Sequence, residues 1–236
     1  MASNPQSSKL GLTTYQGNWS LPLTKHLLNR TVFGATSNDL KRFNKLGLIA
    51  SVNEILTIPT SLPSPPLNDY NTSTVIDAGS SLGTTWVNSI NTDGTINSNR
   101  RTNYKKWLLS VIVNQETNIR EKMTFFWSNH FGTEADTIVY GTMLYQHHQI
   151  FRSNPIGNFK QIVKNVTIDP GMLRYLNGYL NTKTAPDENY GRELQELFTI
   201  GKGPQIGDGD YTNYKEEDVA AGAKILTGYL VDGLRS

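Results

Sequence analysis

The chain has 236 residues, 37% hydrophobic and 18% charged, enough apolar material for one sizeable core and too little charge for a disordered chain. The net charge of +2 is spread along the sequence, and no apolar run approaches the ~20 residues of a membrane span, so neither nucleic acid nor a bilayer is an expected partner. Without cysteine there is no disulfide, no thiolate zinc site and no cysteine nucleophile.

Residues 1–20 are polar and read as a flexible N-terminal arm with no apolar run of signal-peptide length; residues 21–236 read as a single helical domain. From Leu21 helical spacing begins, with Leu23, Leu27 and Leu28 on one side, ending at Gly34. Thr36, three residues before Asp39, predicts a capping box and a helix through Phe43 and Leu46, and Ser51 to Leu56 predicts another. Residues 57–100 change character. Pro59, Pro63, Pro65 and Pro66 break helices, and Asp93-Gly94 between TTWVNSI and TIN predicts a β-hairpin turn. This stretch reads as a polar insertion, with Trp86 on an exposed contact surface.

The longest helical pattern runs from Tyr104 to Phe131, with further helices over 138–151, 158–166, 170–176, 187–200 and 216–229. The fold expected is mainly α, an irregular multi-helix array with a small β-hairpin insertion. The densest basic groups, Arg100-Arg101 with Lys105-Lys106 and Lys41-Arg42 with Lys45, read as solvated helix faces and loop ends.

Candidate site residues are polar side chains on apolar stripes, where burial without a partner costs on the order of 2–7 kcal/mol. His130 follows Phe126 and Trp127 on their buried face, either as a core histidine bonded to a backbone carbonyl or as a functional group. His147 and His148 lie between Leu144 and Phe151; neighbours on a helix diverge by about 100°, so one is expected inward and one outward. Glu193 lies inside the arc of Tyr190, Leu194, Leu197 and Phe198 and needs a metal, a raised pKa or an arginine such as Arg30, Arg120 or Arg152. Arg192 and Glu196 could pair outside it. The loop from Asn177 to Asn189 is rich in oxygen ligands, but Tyr179 and Thr182 break the EF-hand spacing, and Asp208 and Asp210 form too short a pattern for calcium. No P-loop, dinucleotide fingerprint, GxSxG or HExxH occurs.

Separated blocks resemble the bacterial domain of unknown function 1800 family. They are HLLNRTVFGAT from His26, REKMTFFWSNHF from Arg120, the segment from His147 through Arg152, Gly157-Asn158-Phe159 and Asp169-Pro170 to Leu176, PDENYGRELQELFTIGKG from Pro186, and the stretch from Tyr211 to the Leu226-Thr227-Gly228-Tyr229 motif. The sequence departs at Ser128, where family members often have His, at Asp187 for Asn and at Gly191 for Ala. The resemblance implies a mainly helical fold without agreed chemistry, export or surface association in bacteria, and an exported sulfatase-like partner. Members usually continue past Leu-Thr-Gly, so the chain reads as an N-terminal portion or truncated member whose site a C-terminal half would complete.

Two functions fit this sequence. One is a binding or scaffold module that acts with an exported partner and uses its motif residues to pin helices. The other is an enzyme, or a remnant of one, with Glu193 and His130 as catalytic groups and His147, His148, Arg152, Asn189 and Arg192 around them. In its metal-dependent form His130, His148 and Glu193 would hold a divalent metal.

Overall fold

The computed structural model describes residues 15–208 and 210–231; of the arm expected over 1–20, residues 1–14 lie outside the described residues. Eleven α-helices occur among the described residues, and none is long and apolar enough to cross a membrane. Helices α1 (Leu21–Thr31), α2 (Ser37–Leu46) and α3 (Leu48–Leu56) form an N-terminal group around Leu28, Val32, Phe43 and Ile55. Pro22 suits the first turn of α1, and the capping box expected at Thr36 and Asp39 opens α2.

Residues 57–93 hold no helix and no strand, only the isolated bridge between Leu67 and Thr85. The hairpin expected at Asp93-Gly94 does not form there. The Asp93 carboxylate instead accepts the Ile96 N–H at 2.9 Å and caps α4 (Gly94–Val113). An Asp-Gly pair serves either a turn or a helix start, and the 20-residue helix that follows decides it. The two-stranded antiparallel sheet lies elsewhere, between β1 (Gln205–Gly207) and β2 (Asp210–Tyr211).

The helix expected over 104–131 is two helices, α4 and α5 (Arg120–His130). The polar run 114–118 interrupts the apolar stripe, and the Asn118 side chain accepts the Arg120 N–H at 3.1 Å as α5 begins. Then follow α6 (Ala135–Ile138), α7 (Gly141–Ser153), α8 (Phe159–Thr167), α9 (Pro170–Tyr175), α10 (Glu188–Glu196) and α11 (Glu216–Ile225). The last two are shorter than expected: they end at Glu196 and Ile225, and turns carry the chain from there to Gly201 and Gly228, where φ is 71° and 86°.

Helix α7 is the hub, touching α4, α5, α6, α8 and α9. Its Met143 and Leu144 join Trp86, Val87, Tyr104 and Ile138 in one core. Its Phe151 joins Phe131, Ile162, Val166, Met172, Leu173, Tyr190, Phe198 and Leu226 in another. Gly141 allows the crossing with α4, since a Cβ there would stand 2.6 Å from Arg100 Cβ.

Two surface expectations are corrected. Trp86 is fully buried, its indole N–H donating to Asn103 Oδ1 at 2.8 Å. Arg100 is not on a solvated face: it is fully buried and paired with Asp77, whereas Arg101 reaches Asp136 and Lys106 reaches Asp69 near the surface. The segment 57–93 folds back over α4, so residues that look exposed on an isolated helix are covered.

Candidate functional site: a buried polar chain through the central helix

The first turn of α5 and the last turn of α7 meet at Glu121 and Arg152. Arg152 Nε donates to Glu121 Oε1 and Nη2 to Oε2, both at 2.9 Å, with the side chains 0% and 4% exposed. Burial pushes the guanidinium pKa down, but the bonds to the carboxylate outweigh it and hold the pKa above its ordinary value. The Tyr104 hydroxyl lies close enough to this guanidinium to feel its charge, but the two do not align into a hydrogen bond. Tyr104 Oη and Arg152 Nη1 are both buried and unpartnered among the described residues. Burial raises the Tyr104 hydroxyl well above the usual tyrosine range.

The chain continues through rings. Tyr104 lies 5.5 Å from His148, and His148 lies 5.5 Å from His147, centroid to centroid. His147 Nδ1–H donates to Asp169 Oδ2 at 2.8 Å, and the pair is almost wholly enclosed. The same oxygen accepts the Met172 N–H at 2.8 Å, so Asp169 both caps α9 and orients the imidazole. With Nδ1 as donor, His147 Nε2 carries the free lone pair, and it is buried without a partner. This Asp–His arrangement is that of an oriented proton acceptor, but it faces packed interior.

His148 Nδ1–H donates to the Leu144 carbonyl at 3.0 Å. Burial, then the neighbouring His147, pushes its pKa from 6.5 down to about 3. A folded pKa below the unfolded one means that unfolding takes up a proton. The stability His148 contributes is intact above pH 6.5 and declines as the pH falls from there toward 3. Urea unfolding at pH 7, 6 and 5 is expected to show a loss approaching ~1.4 kcal/mol per pH unit from this one group. A His148→Asn variant should flatten that part of the profile, and an unchanged slope would contradict the assignment.

Of the residues singled out from sequence, the structure gathers His147, His148 and Arg152 and leaves the others apart. His130 ends α5, where its Nε2–H donates to the Phe198 carbonyl at 2.8 Å, and its ring lies among Phe131, Phe159 and Phe198. Glu193 is half-buried on α10, and its carboxylate makes no ion pair with Arg30, Arg120 or Arg152 among the described residues. Arg192 does not pair with Glu196: it grips Glu216 with two bonds of 2.7 Å and reaches Glu188 at 3.2 Å, while Glu196 accepts from the Tyr214 hydroxyl at 2.6 Å. Exposed Asn189 donates to the Leu176 carbonyl at 3.3 Å. Among the described residues no group of three or more His, Asp or Glu side chains comes together as a metal site, so His130, His148 and Glu193 keep separate surroundings.

Glu121, Asp169 and Tyr104 are the members that helix spacing did not single out. Glu121 reads as an ordinary first-turn acid and Asp169 as a cap before proline; their partners lie 31 and 22 residues away. Only the coincidence of both with family-like blocks pointed to them.

A family profile described as protein of unknown function (DUF1800) matches residues 26–235. No curated protein and no solved structure matches the chain.

Proposed function

The chain belongs to the DUF1800 family, and from that premise we propose that it is a binding and scaffold module acting with an exported partner, its motif side chains holding helices together. The observation that carries this reading is the fully buried Glu121–Arg152 pair joining α5 to α7. With both carboxylate oxygens held by the guanidinium, the pair is taken up in fixing the angle between two helices. His130 is engaged in the same way, tying the end of α5 to the chain beyond α10. The outer face of α5 remains open: Phe125 and Phe126 are each about half exposed beside Met123 and Ile119, a surface suited to contact.

The test is a titration of a sulfatase-like exported protein, the partner class that the resemblance implies, into the full chain. Saturable complex formation, weakened by Phe125→Ser with Phe126→Ser, supports the module. No complex at micromolar concentrations of both proteins counts against this partner.

One observation favours a second reading, acid/base catalysis at His147: its Nε2 is oriented by Asp169 and unpartnered. Diethyl pyrocarbonate with peptide mapping separates the two. A closed structural histidine is expected to react far more slowly than His26, which is on the surface. Labelling of His147 as fast as His26 in the folded protein would favour the enzyme.

A further inference from the structure

Residues 58–66 make no backbone–backbone hydrogen bond among the described residues, where side chains hold this segment to the body. The carbonyls of Ser61, Ser64 and Leu67 accept from Arg120 Nη1 at 2.8 Å, Trp107 Nε1 at 2.8 Å and Asn103 Nδ2 at 2.9 Å; Arg120 Nη2 reaches the Pro59 carbonyl as well. Past a bend at Thr60 and Ser61, the accepting carbonyls at 61, 64 and 67 are three residues apart in a stretch with Pro63, Pro65 and Pro66, the period of a polyproline II helix. The face of α4 and α5 thus reads an extended proline-rich strap by its main chain, with an indole N–H among the donors.

That face is wider than the strap it holds. Beside the strap a pocket of about 350 Å³ has Leu62, Trp107 and Val111 as apolar wall and Gln115 and Arg120 as polar wall. Arg120 is 8% exposed, and its Nε–H has no partner; Gln115 Oε1 is likewise buried and unpartnered among the described residues. One unused donor and one unused acceptor match what a further stretch of peptide main chain presents, a carbonyl and an N–H. Charge argues the same way. Arg120 and Arg152 are balanced by Glu121, which is paired to Arg152, and by Glu116 on the rim, so a neutral ligand suits the pocket better than a free anion.

We propose that this pocket is the module's ligand site and takes an extended, proline-rich peptide of a partner, laid beside the strap. One peptide carbonyl accepts from Arg120 Nε, one peptide N–H donates to Gln115 Oε1, and its proline rings pack on Trp107. The strap, without backbone bonds of its own, is the part that moves aside to admit it. The site rests on the reading of the chain as a binding module and gives that module a class of ligand.

The test titrates acetyl-Pro-Leu-Pro-Pro-amide into the full chain and follows the Trp107 indole and Gln115 side-chain amide signals by NMR, with sodium acetate in parallel. The expected result is saturable shifts of both signals with the peptide and none with acetate. Gln115→Ala should weaken binding about three- to tenfold, the worth of one hydrogen bond, without lowering the melting temperature. No shift up to about 10 mM peptide, a response to acetate alone, or equal affinity in Gln115→Ala overturns the proposal. Peptide binding that moves Phe125 and Phe126 instead overturns this site and leaves the module reading standing. Failure of the sulfatase-like protein to bind, with the peptide shifts intact, removes that partner and leaves this site.

Discussion

Arg152→Ala is expected to destabilise the fold by about 3–5 kcal/mol, because it leaves the Glu121 carboxylate buried without its partner. Glu121 is 4% exposed, and Arg152 supplies the donors that hold both of its oxygens. For a chain of this size that loss corresponds to a melting temperature lower by roughly 6–20 °C. The guanidinium also stacks 5.1 Å from the Trp107 ring, so its removal takes packing from α4 as well as charge from α5. The informative control is the double variant Glu121→Leu with Arg152→Met. Replacing a buried ion pair by apolar groups of similar volume is often neutral or stabilising, so the double variant should recover most of the loss. Thermal and urea unfolding of the three proteins decide the matter. A single variant costing under about 1 kcal/mol would mean that the pair is a bystander and would remove the main support for the structural reading of these motif residues.

Asp77→Ala should do comparable damage at the other polar centre. Asp77 Oδ2 accepts from Arg100 Nε and from the Tyr70 hydroxyl, each at 2.7 Å; Oδ1 accepts from Arg100 Nη2 at 2.9 Å and the Gly79 N–H at 3.0 Å. Both members of the ion pair are fully buried. Removing the carboxylate strands Arg100 and unties the segment around it, at a cost of about 3–5 kcal/mol. Limited proteolysis should show new cleavage between residues 68 and 91 at temperatures where the wild type resists. The pH dependence has a definite sign. Burial pushes the Asp77 carboxyl up, but the bonds from Arg100 and Tyr70 outweigh it and hold its pKa below the usual 3.8. The stability it contributes is therefore present above pH 3.8 and is lost as the pH falls below 3.8 through the folded value. Its acid loss begins only at pH 3.8, near the lower end of the range in which His148 acts, so wild type is expected to weaken first through His148 and then, in a lower stage, through Asp77 as well. An Asp77→Asn variant should lack the lower stage.

Local rules predicted much of the helical framework. The capping box expected at Thr36 and the helix expected from Pro170 both formed, and the bonds that start them, like the Asn158 cap that the structure adds at α8, lie within three residues. The errors arise where distant chain decides. Asp93-Gly94 is compatible with a hairpin or a helix start, and nothing within a few residues separates them. Arg100 and Trp86 look like surface residues until the 57–93 segment is folded over α4. The candidate site divides along the same line. His130 on an apolar stripe did point inward, onto the Phe198 carbonyl. The acid expected at the centre was Glu193, but the buried one is Glu121, whose position early in α5 gives no periodic sign of burial. Pairings 31 residues apart leave no trace in a single sequence except through the blocks shared with a family.

Helix α4 has no continuous apolar face where the 57–93 segment covers it. It presents Asn97, Arg100 and Asn103, which bond to Asn91, Asp77, Ser89, Trp86 and Leu67 of that segment. Loops are usually the parts of a protein that tolerate deletion, because little is left exposed when they shorten. Here a deletion would leave three buried polar side chains, one of them an arginine, without their partners. The segment cannot be trimmed one residue at a time. A relative with a shorter version must carry different residues at 97, 100 and 103, and those positions should change together with Asp77 or not at all.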